Sequence, residues 1–285
     1  MNTTYKILDG DCFDLIKQQP NNSVDLIITS PPYSDIINYG KEISIKKPNE
    51  YCDWLLPLFD EIQRVLKPSG SFILNINDNC KNGLRNPYIY ELIYRSQKET
   101  KLKFYDTYIW HKLNGIPNGS KKRFRNNTEF IFHFVKDQKK VKFHMDRVLE
   151  EPAEATSSRA KYSWSVTNHG EVVDGERKNK KSADYSKVIS NGVRPDNVFR
   201  FPTAGKARDN HIKHPAPFYK DLPEYFIRFL TDEGDTVIDL FSGIGTTGIP
   251  CIEMNRNYIG YELNKDYADF SRQRLSNETL EEKQE

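Results

Sequence analysis

Thr29-Ser30-Pro31-Pro32-Tyr33 is the stretch whose residue types most directly suggest chemistry. Two successive prolines fix backbone dihedrals and withdraw amide donors, which leaves carbonyl oxygens and the Ser30 hydroxyl as rigid acceptors. An amine that sheds a proton while its nitrogen attacks carbon needs such acceptors, and Ser30 with the carbonyl of Pro31 supplies them. Pro32 stiffens the loop, and Tyr33 offers a flat face for a planar base taken out of a stack. Standing alone, the quartet would be read first as a proline turn with a packed tyrosine.

A second signal lies near the other end of the chain. Gly243-x-Gly245-x-x-Gly248 directly follows the apolar stretch Thr236–Phe241 and opens a helix expected to run through Met254. Glycines there let backbone approach a ligand, and the helix start points amides at its negative group. Glu262 ends the next apolar stretch, Tyr258–Glu262, where a carboxylate can accept two hydrogen bonds from ribose hydroxyls. A nucleoside ligand follows, against the alternative of a glycine turn made only for tight packing. Too little chain remains after Gly243 for a dinucleotide-binding sheet, so the other strands must come from earlier residues. Ser242, Thr246 and Thr247 supply hydroxyls suited to a methionine carboxylate and ammonium. S-adenosylmethionine is therefore favoured over a nicotinamide dinucleotide.

The elements that must position these residues are legible as periodicities. Val24–Thr29 reads as a buried parallel strand, Trp54–Leu66 as an amphipathic helix and Ser71–Ile76 as the next strand, together one crossover unit. Asp106–Trp110 and Glu129–Val135 read as two further strands forming a hairpin-like edge, and Leu222–Leu230 as a helix with proline near its start. The expected fold is α/β: a Rossmann-like, mostly parallel twisted sheet with permuted motif order and an inserted recognition segment. Its parts are expected at 1–149 (catalytic half), 150–200 (recognition insert), 201–275 (cofactor half) and 276–285 (an acidic, frayed tail).

Composition bounds the partners. The chain has 285 residues, 37% hydrophobic and 29% charged, with no apolar window long enough to span a bilayer and no signal core behind Met1. A cytoplasmic protein without membrane association is expected. Cys12, Cys52, Cys80 and Cys251 are scattered without a Cys-x-x-Cys pair, so neither a metal site nor a disulfide framework is expected, and the thiols are read as mostly buried. Net charge is only +2, yet His111–Arg147 holds ten Lys and Arg against three acidic residues. Lys112, Asn114, Lys121, Lys122, Arg123 and Arg125 there are candidates for a phosphate backbone. Residues 150–197 lose apolar periodicity and read as a base-reading insert or a long surface loop. Arg159, Arg177 and Arg194 are its candidate readers, each equally a solvated surface charge.

The two motifs together resemble those of the amino-methylating DNA methyltransferases, in the permuted class whose catalytic motif precedes the cofactor motif. The resemblance covers most of the chain. Ile7-Leu8-Asp9-Gly10-Asp11-Cys12 is similar to the family segment before the catalytic strand, which implies that Asp11 lies near the cofactor adenine. Trp110-x-Lys112-x-Asn114-x-x-Pro117 with Arg123–Asn126 and Glu129–Ile131 resembles the motif beside the target-base pocket. His214-Pro215-Ala216-Pro217-Phe218 resembles the motif ahead of the cofactor strand, which implies a role for His214, Pro215 and Phe218 around the methionine moiety. Asp239-Leu240-Phe241-Ser242 carries Leu where the family often has Pro, and implies that Asp239 and Phe241 belong to the cofactor site. Ser30, where adenine methylators often carry Asp or Asn, is more similar to the cytosine-N4 branch. The resemblance implies methyl transfer from S-adenosylmethionine to a flipped base of double-stranded DNA, alongside a cognate restriction endonuclease where one exists. Adenine-N6 is the alternative; RNA or protein methylation, or non-catalytic nucleic-acid binding, are the remaining readings. Cys52 and Cys80 lack a Pro-Cys setting, which argues against methylation at cytosine carbon 5.

Overall fold

The computed structural model describes residues 3–34, 47–115, 122–152, 172–173, 176–177, 192–203 and 219–281. They fall into two compact units: one formed by residues 1–143 with 197–285, the other by 144–196.

The larger unit is built on one eight-stranded sheet. Its strands are β1 (Tyr5–Asp9), β2 (Val24–Thr29), β3 (Leu66–Ile76), β6 (Lys103–Lys112), β7 (Thr128–Val135), β10 (Val198–Phe201), β11 (Thr236–Asp239) and β12 (Asn257–Glu262). Cys80–Lys81 and Leu84–Arg85 (β4, β5) form a separate two-stranded ribbon, and in the smaller unit Val172–Val173 and Glu176–Arg177 (β8, β9) form another. The main order is β1-β12-β11-β2-β3-β7-β6-β10, with β7 antiparallel to both neighbours and every other pair parallel. All six residues of β2 are buried, as a central strand covered on both faces requires.

Helices α1 (Cys12–Leu15), α2 (Pro48–Val65), α3 (Tyr88–Glu99), α4 (Asp221–Leu230), α5 (Gly248–Glu253) and α6 (Lys265–Glu281) complete the unit. Helix α2 starts on Pro48, whose missing N–H lies where no intrahelical partner exists. It buries Leu55, Leu58, Phe59, Ile62 and Val65, and Phe59 meets Phe72 and Phe134 edge-on at 5.4 and 5.3 Å. On the opposite face, Phe226 of α4 meets Tyr108 and Phe199, each at 5.4 Å. Alternation along β7 sends Phe134 to one face and His133 to the other.

Three elements differ from the sequence reading. The β6–β7 hairpin is interior, because β10 pairs parallel with β6 beyond it; four residues are too few to show a period. Helix α2 hands directly to β3 at Leu66 (φ −60°, ψ 137°), so the strand begins ahead of the expected Ser71 and includes Pro68 and Gly70. Helix α6 continues through Glu281, into the stretch expected to fray.

Parallel pairing puts the carboxyl ends of β1, β12, β11, β2 and β3 at one edge, where ligands of such sheets bind. Antiparallel β7 brings its first residues to that edge, since Phe130 opposes Ile76.

Candidate active site

The two sequence motifs end neighbouring strands. Leu26 and Ile27 of β2 pair with Val237 and Ile238 of β11, so the loops beyond Thr29 and Asp239 start side by side. Thr29 Oγ1 donates to Asp239 Oδ1 at 2.7 Å, and the Phe241 amide donates to Asp239 Oδ1 and to Thr29 Oγ1 at 3.1 and 3.2 Å. Thr247 Oγ1 donates to Asp239 Oδ2 at 2.7 Å. Burial pushes the Asp239 carboxyl up, and these three donors pull the other way. Asp239 therefore ties the prolyl loop to the glycine turn.

In the prolyl loop, Tyr51 of α2 donates from its hydroxyl to the Pro32 carbonyl at 3.0 Å, anchoring the turn. Pro31 is buried and Ser30 half-buried. Tyr33 is 8% exposed, and its hydroxyl donates to Glu129 Oε2 at 2.7 Å. Ser30 Oγ donates to the Tyr33 hydroxyl at 3.1 Å. Asn75 of β3 donates from Nδ2 to the Tyr33 hydroxyl at 2.8 Å and to Glu129 Oε2 at 2.7 Å. Lys112 pairs with Glu129 Oε1. Asn75 Oδ1 is buried without a partner among the described residues, a cost of about 1–3 kcal/mol for an unmet acceptor. Aiming the Asn75 amide hydrogens at the carboxylate and the phenol makes that orientation the better one.

The glycine turn takes left-handed backbone at Gly243 (φ 53°) and Gly245 (φ 75°). A Cβ on Gly260 would lie 2.5 Å from Ser242 Oγ, so only glycine lets β12 pass beneath the turn. Glu262 is 7% exposed; its Oε2 accepts from the Gly243 amide at 2.7 Å and its Oε1 from the Asn264 amide at 2.8 Å. Burial pushes this carboxyl up. The two oxygens retain lone pairs for hydroxyl donors. The Gly10 amide donates to the Glu262 carbonyl at 2.9 Å, which brings Asp11 to the same edge; Asp11 caps α1 by accepting from the Phe13 amide at 3.0 Å. Trp54 bridges Phe13 and Phe241, at ring distances of 5.7 and 6.0 Å. A positive-φ glycine turn, a buried carboxylate at the next strand end and flanking aromatic rings fit a nucleoside carrying a sulfonium.

Other expected site residues have partners within the protein. Ser242 Oγ bonds the Tyr258 hydroxyl at 2.9 Å and Thr247 bonds Asp239, so these hydroxyls brace the turn from within; Thr246 Oγ1 accepts from Arg274 at 3.5 Å. Lys112 is engaged by Glu129, and Asn114 Oδ1 accepts from the Thr203 amide and hydroxyl. Lys122, Arg123 and Arg125 are exposed, with Arg123 donating to the Gly83 carbonyl. Arg194 is exposed in the smaller unit, and Arg177 lies on its ribbon. Two basic residues of the same stretch serve the far edge of the sheet: Lys136 donates to the Leu66 carbonyl at 2.8 Å, and Lys142 pairs with Asp235 and, at 3.0 Å, Asp232. Lys121, Arg159, His214, Pro215 and Phe218 lie outside the described residues. Sequence type alone does not mark Glu129 and Asn75 as site residues; their signals are one of three carboxylates inside a basic stretch and one amide inside the apolar run Phe72–Ile76.

The fold and site define a class: a Rossmann-like sheet with a nucleoside-binding turn beside a prolyl acceptor loop. The DNA methylase family profile covering N6 and N4 enzymes matches residues 24–273. DNA adenine methyltransferase YhdJ of Escherichia coli K12 is 30% identical over 276 residues, covering 96% of this chain and 83% of its own. Type II methyltransferase M.PvuII of Proteus hauseri is 26% identical over 304 residues, covering 96% and 84%. The solved PvuII DNA methyltransferase, described as cytosine-N4-specific, shares the fold with a TM-score of 0.69 at 22% identity, covering 98% and 93%. The M1.HpyAVI complex with S-adenosylmethionine does so at 0.56 and 23%, covering 95% and 100%. The chain belongs to the DNA methylase family and is an S-adenosylmethionine-dependent DNA methyltransferase of the class that modifies exocyclic amines.

Proposed function

We propose that this enzyme methylates the N4 amine of cytosine at a specific site in duplex DNA, with the target base drawn out of the stack. The observation that supports the reading most is the Thr29–Asp239 hydrogen bond, which joins an amine-acceptor loop to a nucleoside-binding turn.

Glu262 takes the ribose hydroxyls, the Gly243–Gly245 turn receives the methionine end, and Phe13, Trp54 and Phe241 flank the adenine beside Asp11. Bound there, S-adenosylmethionine would supply an electrophilic methyl carbon: the amine lone pair would form the new N–C bond as the C–S electron pair returns to sulfur, and the one amine proton released would pass to solvent. Ser30 Oγ and the Pro31 carbonyl accept the amine hydrogens, hold the nitrogen lone pair toward the methyl carbon and receive the developing positive charge. Tyr33 lies along the base plane and restores part of the stacking lost on extrusion. Lys122, Arg123 and Arg125 hold phosphates, and residues 150–197 read base edges.

Serine at position 30 favours cytosine. Adenine is the second reading, favoured by the 30% identity to an adenine methyltransferase. Incubation of unmodified duplex DNA with methyl-labelled S-adenosylmethionine, followed by digestion to nucleosides, separates them. Label is expected in N4-methyl-2′-deoxycytidine; label in N6-methyl-2′-deoxyadenosine would move the assignment to adenine.

A further inference from the structure

The hydrogen-bond chain from Ser30 to Glu129 has a direction set at one end. A carboxylate has no hydrogen to give, so Tyr33 donates to Glu129 Oε2 at 2.7 Å. Its other partners, Asn75 Nδ2 at 2.7 Å and the Lys112 ammonium, are donors as well. With its own hydrogen committed, the Tyr33 oxygen accepts from Asn75 Nδ2 at 2.8 Å and from Ser30 Oγ at 3.1 Å. Asn75 Nδ2 also stands 3.4 Å from Ser30 Oγ, a further donor against that oxygen. The Ser30 hydrogen thus points back into the protein, and lone pairs remain for whatever meets Ser30 from the cleft.

We propose that Glu129 is a positioning residue that fixes Ser30 as an acceptor, so that the pocket takes a base carrying an exocyclic amine and rejects one carrying a carbonyl at the same place. The inference rests on the amine-methylating reading above. So held, a neutral hydroxyl, able in principle to donate or accept, tells cytosine from thymine or uracil, and adenine from hypoxanthine. A donor-lined pocket would present a hydrogen to the carbonyl bases and clash with the amine. Asn75 acts in the same sense, because its orientation, with Nδ2 toward Glu129, is the one the carboxylate demands.

Glu129→Gln tests this with almost no change of shape. The amide can donate to the Tyr33 oxygen, which releases the phenolic hydrogen toward Ser30 and lets Ser30 donate outward. The wild-type target site is first read by modification-sensitive sequencing of plasmid from an expressing host. Affinities are then measured for duplexes carrying the amine base or its carbonyl counterpart, uracil for cytosine or hypoxanthine for adenine. Comparing the amine-to-carbonyl affinity ratio between wild type and variant cancels the differing stability of the two base pairs. That ratio is expected to fall about tenfold or more in Glu129→Gln, with kcat down on the order of a hundredfold and the KM for DNA within about threefold. Tyr33→Phe, which cuts the chain but keeps both ends, is expected to lower the ratio in the same way. Melting temperature and S-adenosylmethionine affinity report whether either variant is folded. A folded Glu129→Gln or Tyr33→Phe enzyme with an unchanged ratio and kcat overturns the proposal while leaving the functional reading intact. Wild-type enzyme that labels no base amine in DNA overturns both.

Discussion

Thr29 and Asp239, 210 positions apart, share a 2.7 Å hydrogen bond inside the sheet. It is the covalently remote contact on which the site depends, because each residue ends the strand that carries one of the two functional loops. Thr29→Val keeps the shape and removes the donor. Among the described residues Asp239 Oδ1 then keeps the Phe241 amide alone, and stability is expected to fall by about 1–3 kcal/mol. Urea unfolding measures the loss, and titration with S-adenosylmethionine should show a weaker complex as the turn loosens.

Gly245 tests the turn. Its φ of 75° is unfavourable for other residues, and a Cβ there would overlap Ser271 Oγ. Gly245→Val should cost more than the roughly 1–2 kcal/mol of left-handed strain alone and should abolish detectable S-adenosylmethionine binding by calorimetry.

Basic residues of one stretch should behave in two ways. Exposed Arg125→Ala should weaken DNA binding across sequences and lower the salt slope by about 0.9. Lys142→Ala should leave that slope unchanged and lower the unfolding midpoint, since it removes an ion-pair partner of Asp232 and Asp235 at the far edge.

His133 should make the fold sensitive to acid. Its Nε2 meets Ser71 Oγ at 2.9 Å, its Nδ1 meets the Tyr108 hydroxyl at 3.3 Å, and burial holds the imidazole down to about 3. The unfolded chain, near 6.5, binds the proton first, so stability contributed by neutral His133 is present above about pH 6.5 and is lost as pH falls toward 3. Carboxyls raised by burial, such as Asp239 and Glu262, act in the opposite sense. The comparison is therefore wild type against His133→Asn: the difference in their unfolding free energies should shrink steadily from pH 7 to pH 4.

Much of this was readable in the chain because the relevant signals are local. Val24–Thr29 is an unbroken apolar run before two prolines, and Thr236–Glu262 carries strand, glycine turn, helix and strand in one stretch. Helix α3 was not legible: Tyr90 and Tyr94 are exposed, which blurs its apolar face. Glu129 and Asn75 stayed hidden for a different reason. Each is an ordinary polar residue in its own stretch, and their meaning arises only when β3 and β7 pair antiparallel. The split of the basic stretch between two edges of the sheet is equally non-local, because β7 carries residues after Val135 to the end opposite Glu129.

If Ser30 meets the amine while the turn at Gly243 holds the cofactor, the two jobs on this one edge are separable. A single-turnover measurement on Ser30→Ala, preloaded with methyl-labelled S-adenosylmethionine and mixed with unmodified duplex DNA, separates them. The expected result is cofactor affinity within about threefold of wild type and a methyl-transfer rate lower by roughly 10²–10³-fold. Transfer at the wild-type rate would contradict it.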